Sequence, residues 1–252
     1  MTSEFVHLHN HSDYSLLDGA QKVDQLVNTI DDLNMDAVAL TEHGNMFSVL
    51  PYYKQAKKAG IKPIIGCEIY VAVGSRFEKK TRSDGGWGNN HLILLAQNFT
   101  GYKNLMKLVT AGYLEGFYYR PRIDMDLLRE YSEGLICMSA CLKGVVPEKM
   151  LKGDYEGARK DAVLFSEIFQ DRYYLEIQNH GIPEEEQNLK NMKKLSQDLN
   201  LPLVCTNDAH YAKKEHWEAH DIHICLGTGK ERSCLLYTSD AADEEDSVDL
   251  GG

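Results

Sequence analysis

The sequence has no paired cysteines, no long apolar run, no surplus of positive charge and no internal repeat. Its six cysteines, at 67, 137, 141, 205, 225 and 234, lack any paired spacing. A disulfide framework is therefore not expected, and they read as core residues or metal ligands of a reducing compartment; Cys67, Cys137 and Cys205 are taken as core. No stretch approaches the roughly 20 consecutive apolar residues of a membrane span. The first residues show no basic segment followed by an apolar one, so no secretory signal is expected. A cytoplasmic protein without a membrane partner follows as the expectation.

The formal net charge is -11, which argues against a strongly basic nucleic-acid-binding surface. Much of it is local, however. Residues 231–252 hold seven acids and one arginine and supply -6 of that total. The other 230 residues are near balance. At 252 residues and 43% hydrophobic content, the chain can bury one sizeable core, and single α/β barrels are commonly of about this length.

Strand patterns lie at 4–9, 36–41, 64–73, 91–96, 134–139, 172–178 and 202–206. Between them, Val23, Leu26, Val27, Ile30 and Leu33 follow one-sided helical spacing. Helices are also expected over 48–59, 101–115, 154–169 and 184–199, with Asp154 and Pro183 as start signals. Alternation of this kind implies parallel strands covered by helices. It fits a barrel or an open doubly wound sheet. The Gly-rich stretch 74–90 is a long loop; its Arg76, Lys79, Lys80 and Arg82 read as solvated.

The metal-capable residues cluster at strand ends. His9 and His11 close the first strand, His43 follows the second, and Glu68 lies within the third. Cys141 follows the fifth, and Asp208 and His210 follow the seventh. Parallel α/β folds build their sites at the carboxyl ends of strands. His-x-His on a strand puts both imidazoles on one face, and Asp208-Ala209-His210 repeats that spacing. An unpaired Glu68 in an apolar strand would be costly. His91 departs from the pattern because it opens its strand. So many ligands exceed the need of one ion and point to a cluster of two or three divalent metals. Imidazole and thiolate put zinc first, with manganese or magnesium as alternatives. His7 shares the face of His9 and His11 and reads as a ligand or, by preference, a group orienting one. His180 ends strand six and could line the same rim. Arg120 and Arg122 could meet substrate phosphate or a neighbouring domain. His216, His220 and His223 share a helix face and read as surface or interface histidines.

Several segments carry a family resemblance. They are Phe5–Ala20, Leu40–Met46, Gly66-Cys67-Glu68, His91–Ala96, Phe117–Asp124, Ser139-Ala140-Cys141 and Thr206–Tyr211. Over residues of about 4–230 the chain resembles the polymerase-and-histidinol-phosphatase (PHP) domains found at the N-terminus of bacterial replicative DNA polymerase III alpha subunits. The resemblance implies a distorted seven-stranded (β/α) TIM-like barrel. It places metal ligands at His9, His11, Asp18, His43, Glu68, His91, Cys141, Asp208 and His210. Asp18 enters the set only through the resemblance. His7 stands where related phosphoesterases have an acidic residue, which supports its orienting role.

The complete ligand set implies a trinuclear site suited to 3′–5′ exonuclease proofreading, with a metal-activated water and no assigned catalytic side chain. The implied partners are DNA, the remaining polymerase domains and other replicase subunits. The implied enzyme class is a fragment of a DNA-directed DNA polymerase whose palm, fingers and thumb lie outside this sequence. Two other readings stand beside it. One is a structural module that braces a polymerase. The other is a stand-alone histidinol-phosphatase-type enzyme. Residues 1–230 are expected to form the domain. Residues 231–252 are expected to be a disordered or non-native tail, because Cys234–Asp243 reads like a one-frame translation of a sequencing adaptor.

Overall fold

The computed structural model describes residues 5–80 and 88–229. The expected tail at 231–252 and Arg82 lie outside the described residues. In chain order the elements are α1 Val23–Asp32, β1 Ala37–Leu40, α2 Val49–Ala59, β2 Lys62–Ala72 and β3 Asn89–Ala96. There follow α3 Phe99–Leu114, β4 Arg122–Ile123, α4 Met125–Glu130, β5 Leu135–Met138 and α5 Val145–Leu151. The last are α6 Tyr155–Phe169, β6 Tyr173–Ile177, α7 Pro183–Leu199, β7 Leu203–Cys205 and α8 Trp217–Thr228. No helix among the described residues is long and apolar enough to cross a membrane.

The chain divides into two compact units. Among the described residues the first comprises 5–42, Phe47–Ile64 and 207–229. In it α1 buries Val23, Leu26, Val27 and Ile30, the stripe expected of a one-sided helix, and packs against α2. The strand expected at 4–9 does not form. An extended segment takes its place, with a single bridge between Asn10 and Ala209. Its backbone still bonds on both sides, as an inner strand would. Ala39 N donates to His7 O at 2.8 Å and Thr41 N to Asn10 O at 2.9 Å, while His11 N donates to Ala209 O at 2.9 Å. The segment is thereby held between β1 and the 207–210 turn.

The second unit comprises His43–Met46 and Ile65–Thr206. Strand direction departs from the all-parallel expectation here. β5, β6 and β7 run parallel, as do β2 and β4, but β3 is antiparallel to both β2 and β5. The physical cause is the connection. A parallel return needs a crossover, usually a helix, and the Gly-rich sequence between β2 and β3 carries no helical pattern. The α/β class and the count of seven strands hold among the described residues. Short β4 replaces the strand expected at 4–9.

Pleating then sorts side chains. Cys67, Ile69 and Val71 of β2 and Leu92 and Leu94 of β3 enter the hydrophobic core with Leu105, Phe165 and Phe169. Glu68, Tyr70 and His91 take the opposite face, with Tyr70 directly across from His91. Cys67 and Cys137 are buried as expected. Cys205 is exposed, because β7 presents both its terminal residues to solvent.

Asp124 ties two parts of this unit together. Its carboxylate caps α4 through Leu127 N at 3.2 Å, and it accepts from Arg76 N at 3.0 Å and Arg76 Nη1 at 3.0–3.1 Å. Arg76 also donates to Glu115 at 2.7 Å, so it is a brace and not the solvated cation expected. Burial alone would raise the Asp124 carboxyl, but these backbone and guanidinium donors hold it below 3.8. Its contribution is therefore complete above about pH 4 and lost as pH falls toward the depressed folded value. Asp124→Ala is expected to cost about 2–3 kcal/mol at pH 7, read by urea unfolding. That deficit should shrink as the pH is taken below about 4.

Candidate metal centres

In the first unit, His9 and His11 are fully buried and point to one side of the extended segment. Their Nε2 atoms lie 3.1 Å apart. Asp208 Oδ1 lies 2.9 Å from His9 Nε2 and 3.1 Å from His11 Nε2. No aligned hydrogen bond reaches that oxygen despite its short contacts. Two imidazole nitrogens and a carboxylate oxygen converging on one point form a donor set for a divalent ion. Burial would raise the Asp208 carboxyl, but His9, His11 and His210 hold it well below the usual carboxylate range. Asp208 also sits at φ +49°, an uncommon setting that clusters at functional sites.

His210 joins this group. Its Nδ1 donates to Asp208 O at 2.9 Å. A carbonyl can only accept, so Nδ1 carries the proton and Nε2 offers its lone pair. Nε2 lies 3.6 Å from Asp18 Oδ2, and the ring stacks on His11 at 4.4 Å. Asp18 is fully buried in the turn from Ser12 to Gly19. A Cβ at Gly19 would lie 1.8 Å from Ser12 O, so only glycine closes that turn. His220 of α8 is buried rather than on the surface. Its ring lies 5.7 Å from that of His210, while His223 Nε2 meets Leu16 O at 3.0 Å. α8 thus backs the turn that carries Asp18. His7 packs edge-on against Phe5 at 4.9 Å, and burial lowers its pKa.

The second unit holds a matching group. Glu68 Oε1 lies 2.9 Å from His43 Nδ1 and 2.7 Å from His91 Nδ1, and Cys141 Sγ lies 3.7 Å from His91 Nδ1. The reversal of β3 explains His91. In a reversed strand the first residues reach the edge where its neighbours end. Gly44, at φ +60°, seats His43: its N–H donates to Glu68 O at 2.7 Å, and a Cβ there would lie 2.8 Å from Pro121 Cγ. Cys141 follows a turn with Ala140 at φ +64°, and the same turn returns Lys143 O to His91 N at 3.1 Å.

The remaining expected site residues differ in placement. His180 is paired through Nδ1 with Glu185 Oε1 at 2.7 Å, which ties it to the first turn of α7. Arg120 lies over the Tyr70 ring at 5.6 Å, and that ring meets His91 edge-on at 5.3 Å. Arg122 is the correction. It is 1% exposed, and its guanidinium donates to Gly116 O at 3.1 Å, Arg76 O at 3.2 Å and Glu78 O at 2.9 Å. Those carbonyls take the Nε and Nη2 donors and tie the guanidinium to the backbone.

One buried acid was missed by the sequence reading. Glu42 accepts from Ser12 N at 3.0 Å, from the Ser12 hydroxyl, and from Ser15 Oγ at 2.6 Å. Its position beside His43 drew attention to the histidine. The two serines at 12 and 15, spaced to meet one acceptor, were the available signal.

Residues 7–180 match the PHP domain family. The chain belongs to that family. The DNA polymerase III subunit alpha of Borreliella burgdorferi is 51% identical over 231 residues, covering 92% of this chain and 20% of the relative. The Treponema pallidum protein of the same name is 48% identical over 230 residues, with coverages of 91% and 20%. That of Thermus aquaticus is 44% identical over 227 residues, with 88% and 18%. The PHP chain thus spans about a fifth of the length of these curated relatives.

In this PHP domain, Arg122→Leu is expected to cost about 3 kcal/mol or more, since a buried guanidinium and its bonds to three backbone carbonyls are lost. Arg120→Leu should cost under about 1 kcal/mol. Chemical unfolding of both variants checks the contrast.

Proposed function

We propose that this PHP domain is a metal-dependent phosphodiesterase of a DNA polymerase III alpha subunit, acting as a 3′–5′ exonuclease on DNA. The carrying observation is the convergence of imidazoles on a buried carboxylate at 2.7–3.1 Å in each unit, the imidazoles being buried in the first and half-buried in the second. Such groups are costly to bury unless something binds among them. His9, His11, Asp18, Asp208 and His210 form one donor set, and His43, Glu68, His91 and Cys141 form the other. Together they would take two or three divalent ions, zinc first given the imidazoles and thiolate, with manganese or magnesium as alternatives. Such ions supply Lewis acidity at a phosphodiester and activate water.

The chain's own groups do the rest. Burial around His9 and His11 excludes bulk water. Arg120 is a contact for substrate phosphate. His7 and His180 orient neighbouring groups. Residues 1–230 act as the domain, with DNA, the other polymerase domains and replicase subunits as partners in the cytoplasm. Nucleotide addition belongs to polymerase segments beyond this domain.

The test is metal content of the purified chain, followed by hydrolysis of primed DNA with a mismatched 3′ end. Asp208→Asn should lower hydrolysis by about 100-fold or more, beyond the 10–100-fold cost of losing a supporting partner, and reduce bound metal. A folded protein that binds no divalent ion overturns the proposal. Bound metal with no hydrolysis, together with lower thermal stability in Asp208→Asn, would establish the bracing role instead. Turnover of histidinol phosphate without action on DNA would place the chain with the small-molecule phosphatases.

A further inference from the structure

His11 differs from His210 in one respect that matters for ligation. The proton on His210 Nδ1 is fixed by a carbonyl, whereas His11 Nδ1 faces a hydroxyl, Ser15 Oγ, at 3.2 Å. A hydroxyl can donate or accept. If Ser15 donated its proton to Nδ1, the His11 proton would sit on Nε2, the atom that faces His9 Nε2 and Asp208 Oδ1. His11 could not then act as a ligand through that nitrogen.

The hydroxyl's direction is set one step further back. Glu42 Oε2 lies 2.6 Å from Ser15 Oγ, and a carboxylate only accepts. The Ser15 proton is therefore committed to Glu42, and Ser15 must accept from His11 Nδ1–H. Glu42 is itself fixed by the Ser12 N–H and hydroxyl. Every member of the chain is buried: His11 0%, Ser12 0%, Glu42 1% and Ser15 2% exposed. Water does not compete for these positions.

The geometry points to Glu42 and Ser15 as positioning residues that fix the His11 tautomer and present its Nε2 lone pair as a metal donor. The idea rests on the metal reading above only for its purpose. The proton relay itself is a property of the protein alone. Local backbone bonds hold the turn without the hydroxyl: Ser15 N donates to Ser12 O at 2.8 Å and Gly19 N to Ser15 O at 2.8 Å. Ser15→Ala therefore tests the relay with the turn in place.

Two readouts separate the relay from the function. The first is long-range nitrogen–proton NMR of the histidine rings in metal-free protein at about pH 8. Nδ1 of His11 should be protonated in the parent, lose that proton's resonance in Ser15→Ala, and regain it in Ser15→Thr. The second is zinc affinity by chelator competition. Ser15→Ala should bind about 10–100-fold more weakly, Ser15→Thr should recover most of the loss, and Glu42→Ala should add little on the Ser15→Ala background. The inference is overturned if Nδ1 of His11 is unprotonated in the parent, or if Ser15→Ala matches the parent in both zinc affinity and ring signals. A parent that takes up no zinc yet shows the expected ring signals sinks the metal reading and upholds the relay.

Discussion

Each unit is organised around one carboxylate oxygen that two imidazoles approach. In the first unit it is Asp208 Oδ1, with His9 and His11. In the second it is Glu68 Oε1, with His43 and His91. A buried carboxylate is tolerated only where positive or donor groups meet it. Two neutral imidazoles cannot satisfy each other and the acid at once through nitrogens that point at a common centre. The surrounding fold therefore has to fix where these groups meet. The positive φ of Asp208 and of Ala140, beside Cys141, falls where that holding is done.

The restraint comes from parts of the chain that carry no ligand. Gly19 lets Asp18 turn inward against Ser12, and Gly44 lets His43 approach Glu68 beneath Pro121. Glu42 organises Ser12 and Ser15. In the second unit, Arg122 and Asp124 do the same for the loop after β2, one with a buried guanidinium on carbonyls and the other with a carboxylate on Arg76. These groups resemble catalytic ones in type. They differ in that each hydrogen-bond partner belongs to the backbone or to another support.

The legible part of the site followed from period two. His9 with His11, and Asp208 with His210, alternate on extended backbone, so spacing alone put each pair on one face. Asp18 was not legible from spacing because it lies in an irregular turn, where no period relates it to His11. His220 was read as a surface or interface residue because it shares a helix face with His216 and His223, and a shared face does not show burial. Arg122 looked like a phosphate contact because charge is visible in a sequence and burial is not. The carbonyls that claim it come from Gly116, Arg76 and Glu78, far from it in the pattern.

His91 shows most clearly what periodicity leaves out. Its strand, its face and its capacity to bind a metal could all be read, yet it sat at the wrong end of β3. Alternation says which face a residue takes and nothing about which way the strand runs. Direction is carried by the connection, and the sequence between β2 and β3 carries no helical pattern of the kind a parallel return would need. Once β3 is reversed, Tyr70 stands across from His91 and Glu68 lies two residues further along on the same face. The exception then obeys the same rule as the other ligands. Within the second unit, a side chain reaches the strand ends near Cys141 by ending a forward strand or by beginning a reversed one.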